Sequence, residues 1–255
     1  MENICNPWPE RVARFIPDFI IQHDFLRRYK DHCSVVLHGS TMMGIDDAYS
    51  DIDLWLILPD ELHSELKQFA RTDFFSFHDF HGKEGHLNAE SQREFSYRLR
   101  HCCHMDTIFQ LRNSCLIMDH NGFAENLIED ARRPMRQVVR RNWFFYHYVE
   151  MRGDHRSCDG PLERNQPMPL LLALSKTLCH AMRAAMIIDA EPYPYDKWLQ
   201  QSASKGKVGS QVCKHAENIL NIISHQGLEQ GGPESDNRIG LELRVIRQLL
   251  IDAAI

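Results

Sequence analysis

Residues 34–59, Ser-Val-Val-Leu-His-Gly-Ser-Thr-Met-Met-Gly-Ile-Asp-Asp-Ala-Tyr-Ser-Asp-Ile-Asp-Leu-Trp-Leu-Ile-Leu-Pro, limit the possible folds more than any other stretch. The apolar run from Val35 to Leu37 reads as a buried strand, and it stops at Gly39-Ser40, small residues that let the backbone turn closely around a ligand. After a polar connection, a second apolar run opens at Asp51 and continues through Leu58 to Pro59, which cannot extend a central strand. Alternate residues of a strand share a face, so Asp51 and Asp53 project together. Two adjacent carboxylates repel unless a cation or a proton lies between them. Mg²⁺ suits such a pair, because it takes one or two protein carboxylates and fills its octahedron with water and phosphate oxygens. Gly39 and Ser40 add backbone N–H groups and a hydroxyl suited to an anion. The stretch predicts a site for a metal-bound phosphate.

His38-Gly39-Ser40 followed by Asp51-Ile52-Asp53-Leu54 resembles the signature of the nucleotidyltransferase superfamily, with His38 standing where an apolar residue is usual. The resemblance implies an α+β fold, a small mixed-sheet nucleotidyltransferase domain followed by an all-α helical bundle. It also implies Mg²⁺-dependent transfer of a nucleoside monophosphate, AMP in the first instance, from ATP or another NTP to an acceptor hydroxyl. Asp51 and Asp53 would be catalytic and hold one or two ions, while Gly39 and Ser40 would cradle the phosphates. The superfamily often places a third carboxylate on a later strand, and the best match here is the amide Asn88, which cannot act as a base. Glu90, on the same strand face, is the preferred substitute; Asp106, or Glu150 and Glu163 from the helical half, are the alternatives. The two-domain plan is similar to that of enzymes that modify antibiotics, so the implied acceptor is a small molecule of aminoglycoside type. The alternative is a catalytically impaired nucleotide-binding protein of the same fold, or an interaction protein of toxin–antitoxin type.

Along the chain, residues 9–31 read as helix broken at Pro17, and residues 60–71 as a helix with acids in its first turn. Residues 74–90 read as a hairpin turning at Gly82-Lys83-Glu84-Gly85, then 104–113 as a helix and 114–118 as a strand. The turn at 119–122 is the predicted boundary between domains 1–119 and 120–255. Beyond it the pattern gives helices over 123–131, 134–151, 169–188, 195–200, 207–224 and 238–254, with a polar loop at 227–237. In the apolar 169–188 helix, Lys176, His180 and Arg183 make one polar stripe, which marks Lys176 and Arg183 as candidate nucleotide contacts. Lys197, in Pro-Tyr-Asp-Lys-Trp-Leu, is a third, beside aromatic rings that could hold a base or sugar. Arg132, Arg133, Arg136, Arg140 and Arg141 crowd one helix start and read mainly as a solvated basic face.

Composition narrows the partners. A net charge of -6 argues against a broad nucleic-acid footprint and towards a small-molecule acceptor. Eight cysteines without regular spacing point to reduced thiols, and His101-Cys102-Cys103-His104 lacks a second ligand cluster for zinc. The first residues lack a basic start and an apolar run, and no run of ~20 apolar residues is evident, so a cytoplasmic protein is expected.

Overall fold

The computed structural model describes residues 6–226 and 238–254, and the loop predicted at 227–237 lies outside them. The chain forms two compact units, Met1–Arg133 and Pro134–Ile255. The fold is α+β: a mixed five-stranded sheet in the first unit and helices throughout the described part of the second.

The first unit opens with α1 (Trp8–Gln22), which runs unbroken through Pro17. Val12, Ile16 and Ile20 keep the helical period across the proline and are buried in the core, so packing outweighs the lost backbone hydrogen bond. A three-ten turn (Leu26–Tyr29) leads into β1 (Ser34–His38), the single-turn α2 (Ser40–Met43) and β2 (Ile52–Leu58). Then come α3 (Asp60–Ala70), β3 (Phe74–Phe80) and β4 (Lys83–Ser91). The hairpin turns at His81-Gly82, both with positive φ, two residues in the handedness that tight hairpins need. The predicted turn is thereby corrected, because Gly85 lies inside β4, where Phe77 of β3 packs directly on its backbone.

Helix α4 (Gln92–Arg100) was not anticipated, although Ser91 and Glu94 carry its signal: Ser91 Oγ accepts from the Glu94 N–H at 3.1 Å. After α5 (Met105–Arg112) and β5 (Cys115–Asp119), α6 (Phe123–Arg132) packs back on α4, α5, β5 and β1. The turn at 119–122 is therefore internal to the first unit, and the division falls at Arg133/Pro134 instead of at 119/120. The strand order is β3-β4-β2-β1-β5, with β2 and β4 parallel and the other pairs antiparallel.

The second unit comprises α7 (Gln137–Glu163), α8 (Pro167–Ile188), α9 (Asp196–Ala203), α10 (Lys207–Gln226) and α11 (Arg238–Ala254). Helix α7 continues past the expected end at Met151, because Cys158 and Leu162 keep its packed face buried beyond Gly153. Helix α8 has the length and apolar composition of a membrane span, contrary to the expectation, and half of that stretch is buried inside the second unit.

Candidate functional site

Gly39 links β1 to α2 with φ 83° and ψ -163°, a backbone region essentially reserved for glycine. A Cβ there would lie 2.4 Å from Asp53 Oδ2 and 3.1 Å from Asp53 Cβ. Glycine is required at 39 twice over, for its torsion and because the Asp53 carboxylate occupies the space a side chain would need. Ser40, at the start of α2, is buried. Asp51 immediately precedes β2 and its side chain is 46% exposed, whereas Asp53 sits within β2, otherwise buried along its length.

The loop between the turn and the aspartates is held from two sides. Asp47 and Ser50 hydrogen-bond each other through side chains and backbone. Lys83, from the start of β4, donates to the carbonyls of Asp47 and Ser50 at 2.5 and 2.9 Å and lies 3.5 Å from Asp46 Oδ2. Its side chain is only 9% exposed. Trp8 of α1 donates its indole N–H to the same Asp46 carboxylate at 3.1 Å. Tyr49, at the tip, is fully in solvent.

Asp53 is flanked in register by two histidines, His38 on β1 and His86 on β4. His38 is buried, stacks on Trp55 with ring centroids 3.8 Å apart, and neither ring nitrogen has a hydrogen-bond partner. Burial pushes its imidazole down to about 3; nearby Gln110 acts in the opposite sense but makes no hydrogen bond of good geometry. His86 differs: its Nε2 lies 3.4 Å from Asp51 Oδ2, its Nδ1 lies 3.2 Å from Ser76 Oγ, and Phe74 stacks on its ring. None of Ser76, Phe74, Lys83 and His86 was identified from sequence, because their place depends on strand register.

The other predicted groups lie elsewhere. Asn88 is in register with Trp55, and Glu90 with Ile57. Glu90 shares the face of His86 but stands four residues along the strand from it, about 13 Å away, and pairs with Arg98 at 2.7 Å. It is not beside the aspartates, which corrects its expected place as base. Asp106, in α5, accepts a hydrogen bond from Gln110. Among the described residues no three His, Cys, Asp or Glu side chains are already gathered as a metal cage. The donor set at hand is the aspartate pair, which fits a hard cation that takes one or two carboxylates.

Lys176, Arg183 and Lys197, with Glu150 and Glu163, belong to the second unit. Lys176 is exposed, Arg183 pairs with Asp196 and lies over Tyr193, and Lys197 lies over the Trp198 ring. Arg140 donates to the carbonyls of Ile187 and Ile188 at the end of α8, and Arg132 to that of Ser114. These two arginines brace helix ends and a strand instead of forming a free basic face. Between α7 and α8, His147 joins His180 at 2.8 Å and the Tyr193 hydroxyl at 2.7 Å. Burial, aided by the charges of His180 and Arg183, lowers the His147 imidazole to about 3. A cavity of 740 Å³ in this unit is lined by Arg140, Arg141, Phe144, Phe145, Ile188 and Ile251 among others, none of them acidic.

No family model matches the chain, and no curated protein does. A solved structure, that of a nucleotidyltransferase-like protein from Exiguobacterium sibiricum 255-15, is similar to it over 96% of this chain and 75% of that one, with 12% identity and a TM-score of 0.51. The chain thus has the fold of a nucleotidyltransferase-like protein.

Proposed function

We propose that the first unit transfers a nucleoside monophosphate from an NTP to an acceptor hydroxyl, with AMP from ATP as the first case to test. The observation that carries this reading is the seating of the Asp53 carboxylate against Gly39, which joins the carboxylate pair to the turn beside it. Asp51 and Asp53 would hold Mg²⁺, which when bound neutralises charge on the triphosphate. The Gly39-Ser40 backbone lies next to that charge and orients the phosphates, and the loop held by Lys83 and Trp8 keeps Asp51 at the mouth of the site. The acceptor is inferred to be a small molecule, on the strength of the net charge of -6. That charge favours a cationic, aminoglycoside-like compound; the arginine-lined cavity of the second unit does not.

The decisive experiment is nucleotide transfer by the purified chain and by Asp53→Asn with ATP, Mg²⁺ and a panel of hydroxyl acceptors, read by mass spectrometry. Transfer by the wild type and loss of ~10² or more in the variant are expected. Equal transfer by both would refute the metal role. A second reading, nucleotide binding without turnover, rests on His86 standing in register with Asp53 where a further carboxylate would supply a base. Tight Mg²⁺-dependent ATP binding, with no pyrophosphate released in any acceptor mixture, would favour it.

A further inference from the structure

Resting on the proposed function, which gives Asp51 and Asp53 to a divalent ion, we propose that His86 is a third ligand of that ion and that the site therefore prefers Mn²⁺ or Co²⁺ to Mg²⁺. Parallel pairing of β2 with β4 puts His86 directly beside Asp53, on the same face of the sheet. Its ring is held in the manner of a metal-bound histidine. Ser76 Oγ sits 3.2 Å from Nδ1, and in the tautomer in which that hydroxyl accepts the Nδ1–H the Nε2 lone pair faces the Asp51 carboxylate. Phe74, stacked on the ring at 5.0 Å, fixes its plane.

The spacing suits a shared ion. Two ligands at right angles, each ~2.1 Å from a cation, lie about 3.0 Å apart, and His86 Nε2 is 3.4 Å from Asp51 Oδ2. A lone pair facing a carboxylate at that distance is repulsive until a cation lies between them, and a shift of a few tenths of an ångström brings both to ligand spacing. Both side chains are reachable from solvent, His86 at 20% and Asp51 at 46% exposure. Two carboxylates of β4 share the face of His86: Glu90 is further along the strand and paired with Arg98, and Glu84 is turned to His78 of β3, 3.3 Å away. An imidazole donor favours later first-row ions over Mg²⁺, which seeks oxygen.

The test is Mn²⁺ titration of the full chain followed by electron paramagnetic resonance, with pulsed measurement of nitrogen coupling to the bound ion. Nitrogen coupling is expected in the wild type and absent in His86→Gln, whose Mn²⁺ affinity should fall by about 10- to 100-fold while Mg²⁺ affinity changes little. His86→Asp, restoring an oxygen donor, should shift the preference towards Mg²⁺. Mn²⁺ bound without nitrogen coupling, yet lost in Asp53→Asn, overturns the ligand role of His86 and leaves the proposed function standing. No Mn²⁺ bound by the wild type overturns both. Should His86→Gln fail to fold by circular dichroism, the nitrogen signal of the wild type decides alone.

Discussion

Gly39→Ala is the sharpest test of the close approach between Asp53 and the turn. The substitution forces a side chain into a glycine-only torsion, at ~1–3 kcal/mol. Its Cβ would stand 2.4 Å from Asp53 Oδ2, so the carboxylate must leave its rotamer, at a further ~0.5–1.5 kcal/mol. Together these give about 2–4 kcal/mol. Gly44→Ala is the matched control: it also has positive φ, 66°, but nothing lies within 4 Å of the added Cβ, so only the left-handed torsion counts, at about 1 kcal/mol. Urea unfolding followed by circular dichroism compares stability, and Mn²⁺ binding compares the site. Gly39→Ala should be the less stable variant and should lose metal affinity, while Gly44→Ala keeps it. If both variants match in stability and both bind Mn²⁺ as the wild type does, Asp53 is not seated against the turn and the reasoning fails.

Lys83→Met removes a nearly buried ammonium bonded to two loop carbonyls, so it should cost ~1.5–3 kcal/mol and make residues 44–51 cleavable in limited proteolysis; unchanged digestion would count against the clasp. Gly85→Ala would put a methyl 2.0 Å from Phe77 Cζ, inside the aromatic group of Phe15, Phe19, Phe77 and Phe80, and should lower stability by ~1–3 kcal/mol, measured by thermal unfolding. For pH, His38 and His147 both have imidazoles lowered from 6.5 to about 3, so the unfolded chain binds more protons than the folded one in that interval. Stability should therefore be complete above pH 6.5 and fall as pH drops towards 3, and His147→Gln should flatten part of the slope in urea titrations.

Much of the fold was legible because its signals are local. The two apolar runs, Gly39 between them and Pro59 after them define β1, the turn and β2 without reference to the rest of the chain. Reading failed where packing outweighed a local cue. Pro17 suggested a break, but Val12, Ile16 and Ile20 hold α1 in the core on both sides of it. Gly82 and Gly85 together suggested one long turn, whereas Gly85 is a strand residue chosen for the ring of Phe77 above it. The turn at 119–122 looked like a boundary because turns and linkers share composition; only the return of α6 onto the sheet shows that it is internal.

The candidate site divides along the same line. Asp51, Asp53 and Gly39 lie within fifteen residues of one another, so spacing alone could bring them forward. His86 could not be found that way, because His86, Asn88 and Glu90 all share one face of β4 and sequence period cannot tell which of them meets Asp53. A slip of two residues would put Asn88 there without exposing a single core side chain, so the alternation of polar and apolar residues does not fix the register. What pins it is tertiary: Lys83, bound to the loop before β2, and Gly85, opposite Ile52 with Phe77 packed on its backbone. Each anchors the start of β4 to the start of β2, and the next residue after them in the ladder is His86 opposite Asp53. The imidazole beside the aspartates is thus a consequence of how the hairpin is attached, and loosening Lys83 or filling Gly85, neither of them a ligand, should disturb metal binding through the register of β4 on β2.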